Sequence, residues 1–226
     1  MYNELKYWYL RDHRLFGVLS NEQLKQLCVI TNYKKAKKGE IIYLGESEKP
    51  RIYFLKKGNI KITEIDEEGN EMIREILQKG DIFGELSLSS VSTGNEVAQV
   101  LSADVAICSF LVEDFEKVMQ KYPELAVSYI KMVGFKFKRL TNSYTNLVQK
   151  DARTRLVHFL KDWAKREGTF DGEKVTLQNY LTQYDIARII CTSRQTATQL
   201  LNDLETLGIL QYNRKEIMIP NLSLLK

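Results

Sequence analysis

Cysteine is scarce in this chain of 226 residues: Cys28, Cys108 and Cys191 lie far apart, with no C-x-x-C spacing. That argues against a disulfide framework and against an iron–sulfur cluster held by one chain. Histidine is scarcer still. His13 and His158 each stand alone, which points to surface or packed imidazoles rather than metal or haem ligands, and no metal site is expected. No apolar run approaches ~20 residues and no signal-peptide pattern opens the chain, so the expectation is a cytoplasmic protein without a membrane partner. A Ser/His/Asp constellation and a P-loop are both missing; an enzyme is therefore not expected, and Glu85 and Glu96 read as ligand or structural carboxylates. Lysine and arginine are absent between Lys79 and Lys117. What is present, 44% hydrophobic and 27% charged residues, is ordinary for a globular protein.

The stretch from Leu181 to Leu207 carries the most information. Ile186, Ile189 and Ile190 mark one buried helical face, and Ala187 is small where a second helix would approach. A polar turn, Cys191-Thr192-Ser193, separates this helix from another that opens with Ser193 as N-cap and turns Ala197, Leu200, Leu201 and Leu204 inward. The pattern is a helix-turn-helix, although such spacing also describes a plain αα-corner. Its outward N-terminal face carries Arg194, Gln195 and Gln199. Arginine pairs bidentately with guanine and glutamine with adenine, so these three are the candidates for base readout in double-stranded DNA. Thr182, Ser193, Thr196 and Thr198 are placed as phosphate donors, which position without specifying.

Behind it, Gly208 ends the helix and Ile209–Tyr212, Asn213-Arg214-Lys215 and Glu216–Ile219 read as strand, turn and strand. A basic hairpin in that place is a wing. Arg214 and Lys215 at its tip suit phosphate contact, a solvated turn being the alternative. The formal charge of +4 is uneven: about −2 over residues 1–123, about +4 over 124–150 and about +2 over 151–226.

Residues from about 30 to 112 have another texture. Glu40–Tyr43, Arg51–Leu55, Asn59–Ile65, Glu71–Leu77 and Val97–Leu101 are β-rich runs separated by Lys38-Gly39, Lys57-Gly58, Glu68-Gly69-Asn70 and Lys79-Gly80-Asp81. Short strands at this spacing indicate an antiparallel sandwich or jelly roll, whose interior is a natural ligand pocket.

The runs KKGEIIYLGE at 37–46, YFLKKGNIKI at 53–62 and GDIFGELSL at 80–88, with the turn at 69–70, resemble the cyclic-nucleotide-binding β-roll. Joined to the winged helix-turn-helix and preceded by the helical lead-in LFGVLSNEQLKQL at 15–27, they make the chain similar to the Crp/Fnr family of bacterial transcription regulators. The resemblance implies an α+β chain: an effector β-roll with N-terminal helices over 1–120, a dimerisation helix and hinge over 121–150, and a winged helix-turn-helix over 151–226. It further implies a homodimer on a pseudo-palindromic site and favours activation through RNA polymerase. The residues support the dimer independently. Ala126, Ile130, Val133, Phe137, Leu140, Tyr144 and Leu147 follow at spacings of 4, 3, 4, 3, 4 and 3, an a/d seam. A plain core helix is the alternative, and Leu125, Tyr129 and Met132 form a second face suited to pack on the roll.

In cyclic-nucleotide binders of this family a glutamate takes the ribose hydroxyl and an arginine pairs the phosphate. Here Gly84-Glu85-Leu86, followed by Ser87, is kept, but the arginine's place is Glu96, before Val97 and Ala98, and Leu140 and Thr141 are the helix positions that would meet a purine. A buried phosphate facing two carboxylates without a cation would be repelled, so cAMP and cGMP are not expected to bind in the usual way. Three readings of the roll stay open: a neutral or cationic small-molecule effector, a structural module without effector, and, weakest, haem, since His13 lies outside the roll and only Cys108 falls within it. Some members hold an iron–sulfur cluster on an N-terminal cysteine cluster, which this chain lacks.

Two further departures are expected to matter. Cys191 occupies a turn position that favours a left-handed backbone and is commonly glycine, and Gln195 replaces a glutamate common in the family, which shifts preference from cytosine to adenine. The family's hinge falls at Gln149-Lys150-Asp151, with Asp151 as N-cap of a helix burying Leu156, Val157, Leu160 and Trp163. The competing class is a ligand-sensing module that acts through protein contacts rather than DNA.

Overall fold

A computed structural model describes residues 2–43, 49–65, 68, 71–84 and 96–225. The chain divides into two compact units, Met1–Phe137 and Lys138–Lys226.

The first unit begins with α1 (Tyr2–Arg11), a 3-10 turn (Arg14–Val18) and α2 (Asn21–Ile30). Ser20 starts α2 through a capping box: its hydroxyl accepts from Gln23 N at 3.3 Å while its own N–H donates to Gln23 Oε1 at 2.7 Å. Such a cap contributes about 1 kcal/mol. Eight strands follow: β1 (Asn32–Lys37), β2 (Ile41–Tyr43), β3 (Arg51–Lys57), β4 (Ile60–Ile65), β5 (Glu71–Leu77), β6 (Ile82–Gly84), β7 (Glu96–Val100) and β8 (Asp104–Leu111). They form two antiparallel four-stranded sheets, ordered β1-β8-β3-β6 and β2-β7-β4-β5. This is the expected β-roll. β1, β6 and β8 were not among the expected strands, and Gly69 and Asn70 of one expected turn lie outside the described residues.

Two cores share the first sheet. Between the sheets lie Leu55, Val105, Ile107 and Phe83 from one side and Ile42, Ile60, Ile62, Leu77, Ala98 and Val100 from the other. On the outer face, Ile52, Phe54, Ile82, Cys108 and Phe110 pack under Leu10, Phe16, Leu24 and Leu27 of the lead-in, Phe115 of α3 (Val112–Lys121) and Leu125. β8 is therefore buried on both faces from Val105 to Phe110. At Lys57-Gly58 the turn has φ 84° at Gly58, and a Cβ there would sit 2.3 Å from the Ser102 hydroxyl and 2.5 Å from the Asp104 carbonyl; only glycine fits.

α4 (Pro123–Gln149) is 27 residues long, with proline at its first position. Leu125 is buried, and Tyr129 and Met132 pack against the helical core, as their spacing indicates. On its other face Ile130, Val133, Phe137, Leu140, Tyr144 and Leu147 are all exposed.

In the second unit, Asp151 caps α5 (Ala152–Glu167) by accepting from Thr154 N at 2.8 Å. Leu156, Val157, Leu160 and Trp163 are buried as expected, against α7 (Arg194–Thr206) and β10 (Lys174–Gln178). β9 (Thr169–Asp171) pairs with β10, which pairs with β12 (Glu216–Ile219), which pairs with β11 (Gln211–Tyr212). The β9–β10 hairpin was not expected. Among the described residues no helix is long and apolar enough to cross a membrane.

Candidate nucleic-acid interface and effector roll

The helix-turn-helix consists of α6 (Gln183–Ile189) and α7. Ile186, Ala187 and Ile190 bury α6, while Ala197, Leu201 and Leu204 bury α7; Ile189 and Leu200 are only half-buried. Cys191 has φ 50°, so the left-handed turn expected from the sequence is present on a residue with a Cβ. Ser193 is the N-cap of α7, accepting from Thr196 N at 3.1 Å.

Beyond that cap, Arg194, Gln195 and Gln199 are exposed on α7, free to face a partner. The hydroxyls divide differently from expectation. Thr198 Oγ1 lies 2.9 Å from Gln183 Oε1 and 2.8 Å from the Arg194 carbonyl, so its single proton is used inside the domain. Thr182 Oγ1 donates to Asp185 Oδ2 at 2.6 Å within the capping box of α6. Ser193 and Thr196 are joined at 2.9 Å, which leaves one outward proton between them. A pair that the sequence reading missed lies on α6: the exposed Arg188 donates to the Tyr184 hydroxyl at 2.8 and 3.1 Å and lies 5.0 Å over its ring. Its signal was the i,i+4 spacing of an arginine and an aromatic in the first helix.

The wing is fixed by two asparagines. Asn213 Oδ1 accepts from Lys215 N at 2.8 Å and Glu216 N at 2.9 Å, closing the tip. Asn179 donates from Nδ2 to the Asn213 carbonyl at 2.7 Å and from its N–H to the Lys215 carbonyl at 2.8 Å. Arg214 and Lys215 are left exposed at the tip, where backbone bonds set their direction.

In the roll, Glu85, Leu86 and Ser87 lie outside the described residues. Gly84 has φ 94°, and a Cβ there would lie 2.5 Å from the Arg51 carbonyl. Val97 is half-buried and Ala98 fully buried in β7; Thr141, like Leu140, is exposed on α4. The cation-free window corrects in one respect. Glu96 stands opposite Glu64 across β7 and β4, and Arg74 of β5 binds both, at 2.8 Å to Glu96 and 2.7 Å to Glu64. The register of β4 and β5 shifts here, leaving Arg74 as the extra residue of a bulge, which aims its side chain across two strands. Arg74 is outside the sequence window because the sheet, not the chain, brings it there. Two carboxylates hold it.

His13 is buried, its Nδ1 accepting from Leu15 N at 3.2 Å, and burial holds the imidazole down to about 3. His158 lies 2.6 Å from Lys150 Nζ, and burial, then the neighbouring lysine charge, lowers it. Cys28 and Cys108 are buried and Cys191 exposed. No group of three or more potential metal ligands lies together among the described residues.

Residues 33–122 match the family model of the cyclic nucleotide-binding domain, and residues 154–226 that of the Crp-like helix-turn-helix domain. The global nitrogen regulator of Nostoc sp. (strain PCC 7120) is 27% identical over 186 residues, which cover 80% of this chain and 82% of the relative. The cAMP-activated global transcriptional regulator CRP of Salmonella typhimurium is 26% identical over 192 residues, covering 83% and 88%. A CooA mutant from Carboxydothermus hydrogenoformans has a similar solved structure, with TM-score 0.73 at 26% identity over 96% of this chain and 97% of that one. FixK2 from Bradyrhizobium japonicum shares the fold, with TM-score 0.71 at 22% identity over 87% and 96%. With roll, long helix and winged helix-turn-helix in the same order as these relatives, the chain belongs to the Crp/Fnr family of DNA-binding transcription regulators.

Proposed function

We propose that this regulator works as a homodimer, reads a pseudo-palindromic DNA site with Arg194, Gln195 and Gln199, and activates transcription through RNA polymerase under an effector other than cAMP or cGMP. The observation that carries the DNA reading is the exposed Arg194/Gln195/Gln199 face beside a wing whose basic tip is bonded in place. The dimer rests on the apolar seam of α4, where Ile130, Leu140 and Tyr144 are each about two-thirds exposed. A helix with such a stripe needs a partner, and a second copy with the same stripe supplies one in register. Two copies would set the recognition helices ~34 Å apart, one turn of DNA.

The nitrogen regulator and the cAMP-activated relatives point to different signals. Glu96, held with Glu64 by one arginine, speaks against the nucleotide phosphate. A neutral or cationic effector fits that acidic pair better, and Fe–S or haem cofactors are not proposed. The test selects duplexes from a randomised pool with the wild-type chain and compares Arg194→Ala on the winner. Loss of specific binding by roughly tenfold or more, with an unchanged dimer in sedimentation, is expected. Equal binding by the variant would favour the protein-contact module. Phe137→Glu is expected to shift sedimentation to the monomer; a dimer that survives it sinks the seam.

A further inference from the structure

Arg155 sits in the first turn of α5, where a cation opposes the positive end of its own helix. Its guanidinium explains the placement. Nη1 donates to the Lys150 carbonyl at 2.5 Å, Nε to the Ile190 carbonyl at 2.8 Å and Nη2 to the Cys191 carbonyl at 3.2 Å. Lys150 follows the last residue of α4, and Ile190 is the C-cap of α6. One side chain thus caps the C-terminal ends of two helices, satisfying carbonyls that have no helical partner and meeting two negative dipole ends. The third carbonyl belongs to the residue with φ 50°, so the same fork holds the turn that sets the direction of α7. A planar guanidinium can serve three acceptors in fixed directions; an ammonium on a flexible stem cannot.

We propose that Arg155 is a positioning residue for DNA recognition: it ties the end of the long helix to the helix-turn-helix turn, so that the angle of α7 follows the end of α4. The inference rests on the DNA-reading role of α7. No base or phosphate contact is assigned to Arg155 itself.

The experiment uses the full-length dimer and a duplex selected by the wild-type chain, with a scrambled duplex of equal length for non-specific binding. Arg155→Lys keeps the charge and loses the fork. It is expected to weaken specific binding about tenfold while non-specific binding stays within about twofold, so that their ratio falls. A purely stabilising arginine would lower the unfolding temperature and scale both affinities together, leaving the ratio intact; that result overturns the proposal. The double variant Arg155→Lys with Cys191→Gly separates positioning from relief of backbone strain. Glycine is expected to recover thermal stability without recovering the ratio, and full recovery of the ratio would also overturn the proposal. Should the single variant fail to fold, the double variant carries the same measurement. If the wild-type chain selects no duplex at all, the DNA reading fails and Arg155 is not at fault.

Discussion

Cys191 shows how a single backbone angle can matter. A left-handed conformation costs a residue with a Cβ roughly 1 kcal/mol, and nothing in its exposed side chain offsets that. Cys191→Gly is therefore expected to stabilise the second unit by up to about 1 kcal/mol, read as a rise in the thermal midpoint. His13 makes the opposite kind of statement. Its folded value of about 3 lies below the ordinary 6.5, so between those values the unfolded chain binds a proton that the folded chain does not. Its contribution is complete above about pH 6.5 and is lost at roughly 1.4 kcal/mol per pH unit as pH falls toward 3. Urea unfolding of the wild-type chain should show that slope from about pH 6 to 4, and His13→Phe should flatten it.

At the level of elements, the glycine that ends β6 is tightly constrained. Gly84→Ala would press a methyl against the Arg51 carbonyl and the Tyr53 ring in a conformation that alanine resists, and a loss of about 1–3 kcal/mol is expected in the denaturation midpoint. An unchanged midpoint would show that β3 and β6 can separate there. The elements also show what the sequence made legible. The strands expected from their β-rich runs, the Ser193 cap and the Asp151 cap all follow from local chemistry, so they were readable. β1 was not, because Ala36 is its only buried residue and no apolar alternation marks it. β8 was missed for the contrary reason, since burial on both faces removes the alternation. The β9–β10 hairpin did carry a turn signal, Asp171-Gly172, between very short flanks. Thr182 and Thr198 looked like phosphate donors because their internal partners, Asp185 and Gln183, appear only when the helices are built.

For the whole molecule, family order was readable from motifs, whereas the ligand chemistry was not, because it depends on pairings between strands. Arg74 reaches Glu96 across β4, so no scan along the chain could place them together. The resulting expectation is thermodynamic. A ligand at 100 times its Kd stabilises the fold by about 2.7 kcal/mol. Cyclic AMP at about 1 mM, enough to saturate a micromolar site a hundredfold or more, is expected to leave the melting curve of the chain unmoved. A clear upward shift would mean that the chain binds the nucleotide despite the pairing of Glu96 with Arg74.

The β5 bulge makes the length of that hairpin matter alongside the identity of its residues. Deleting one residue between Glu71 and Leu77 would restore a regular ladder and change the face on which Arg74 stands relative to β4. The contact of Arg74 with Glu64 and Glu96 therefore depends on the length of this strand as much as on the arginine itself.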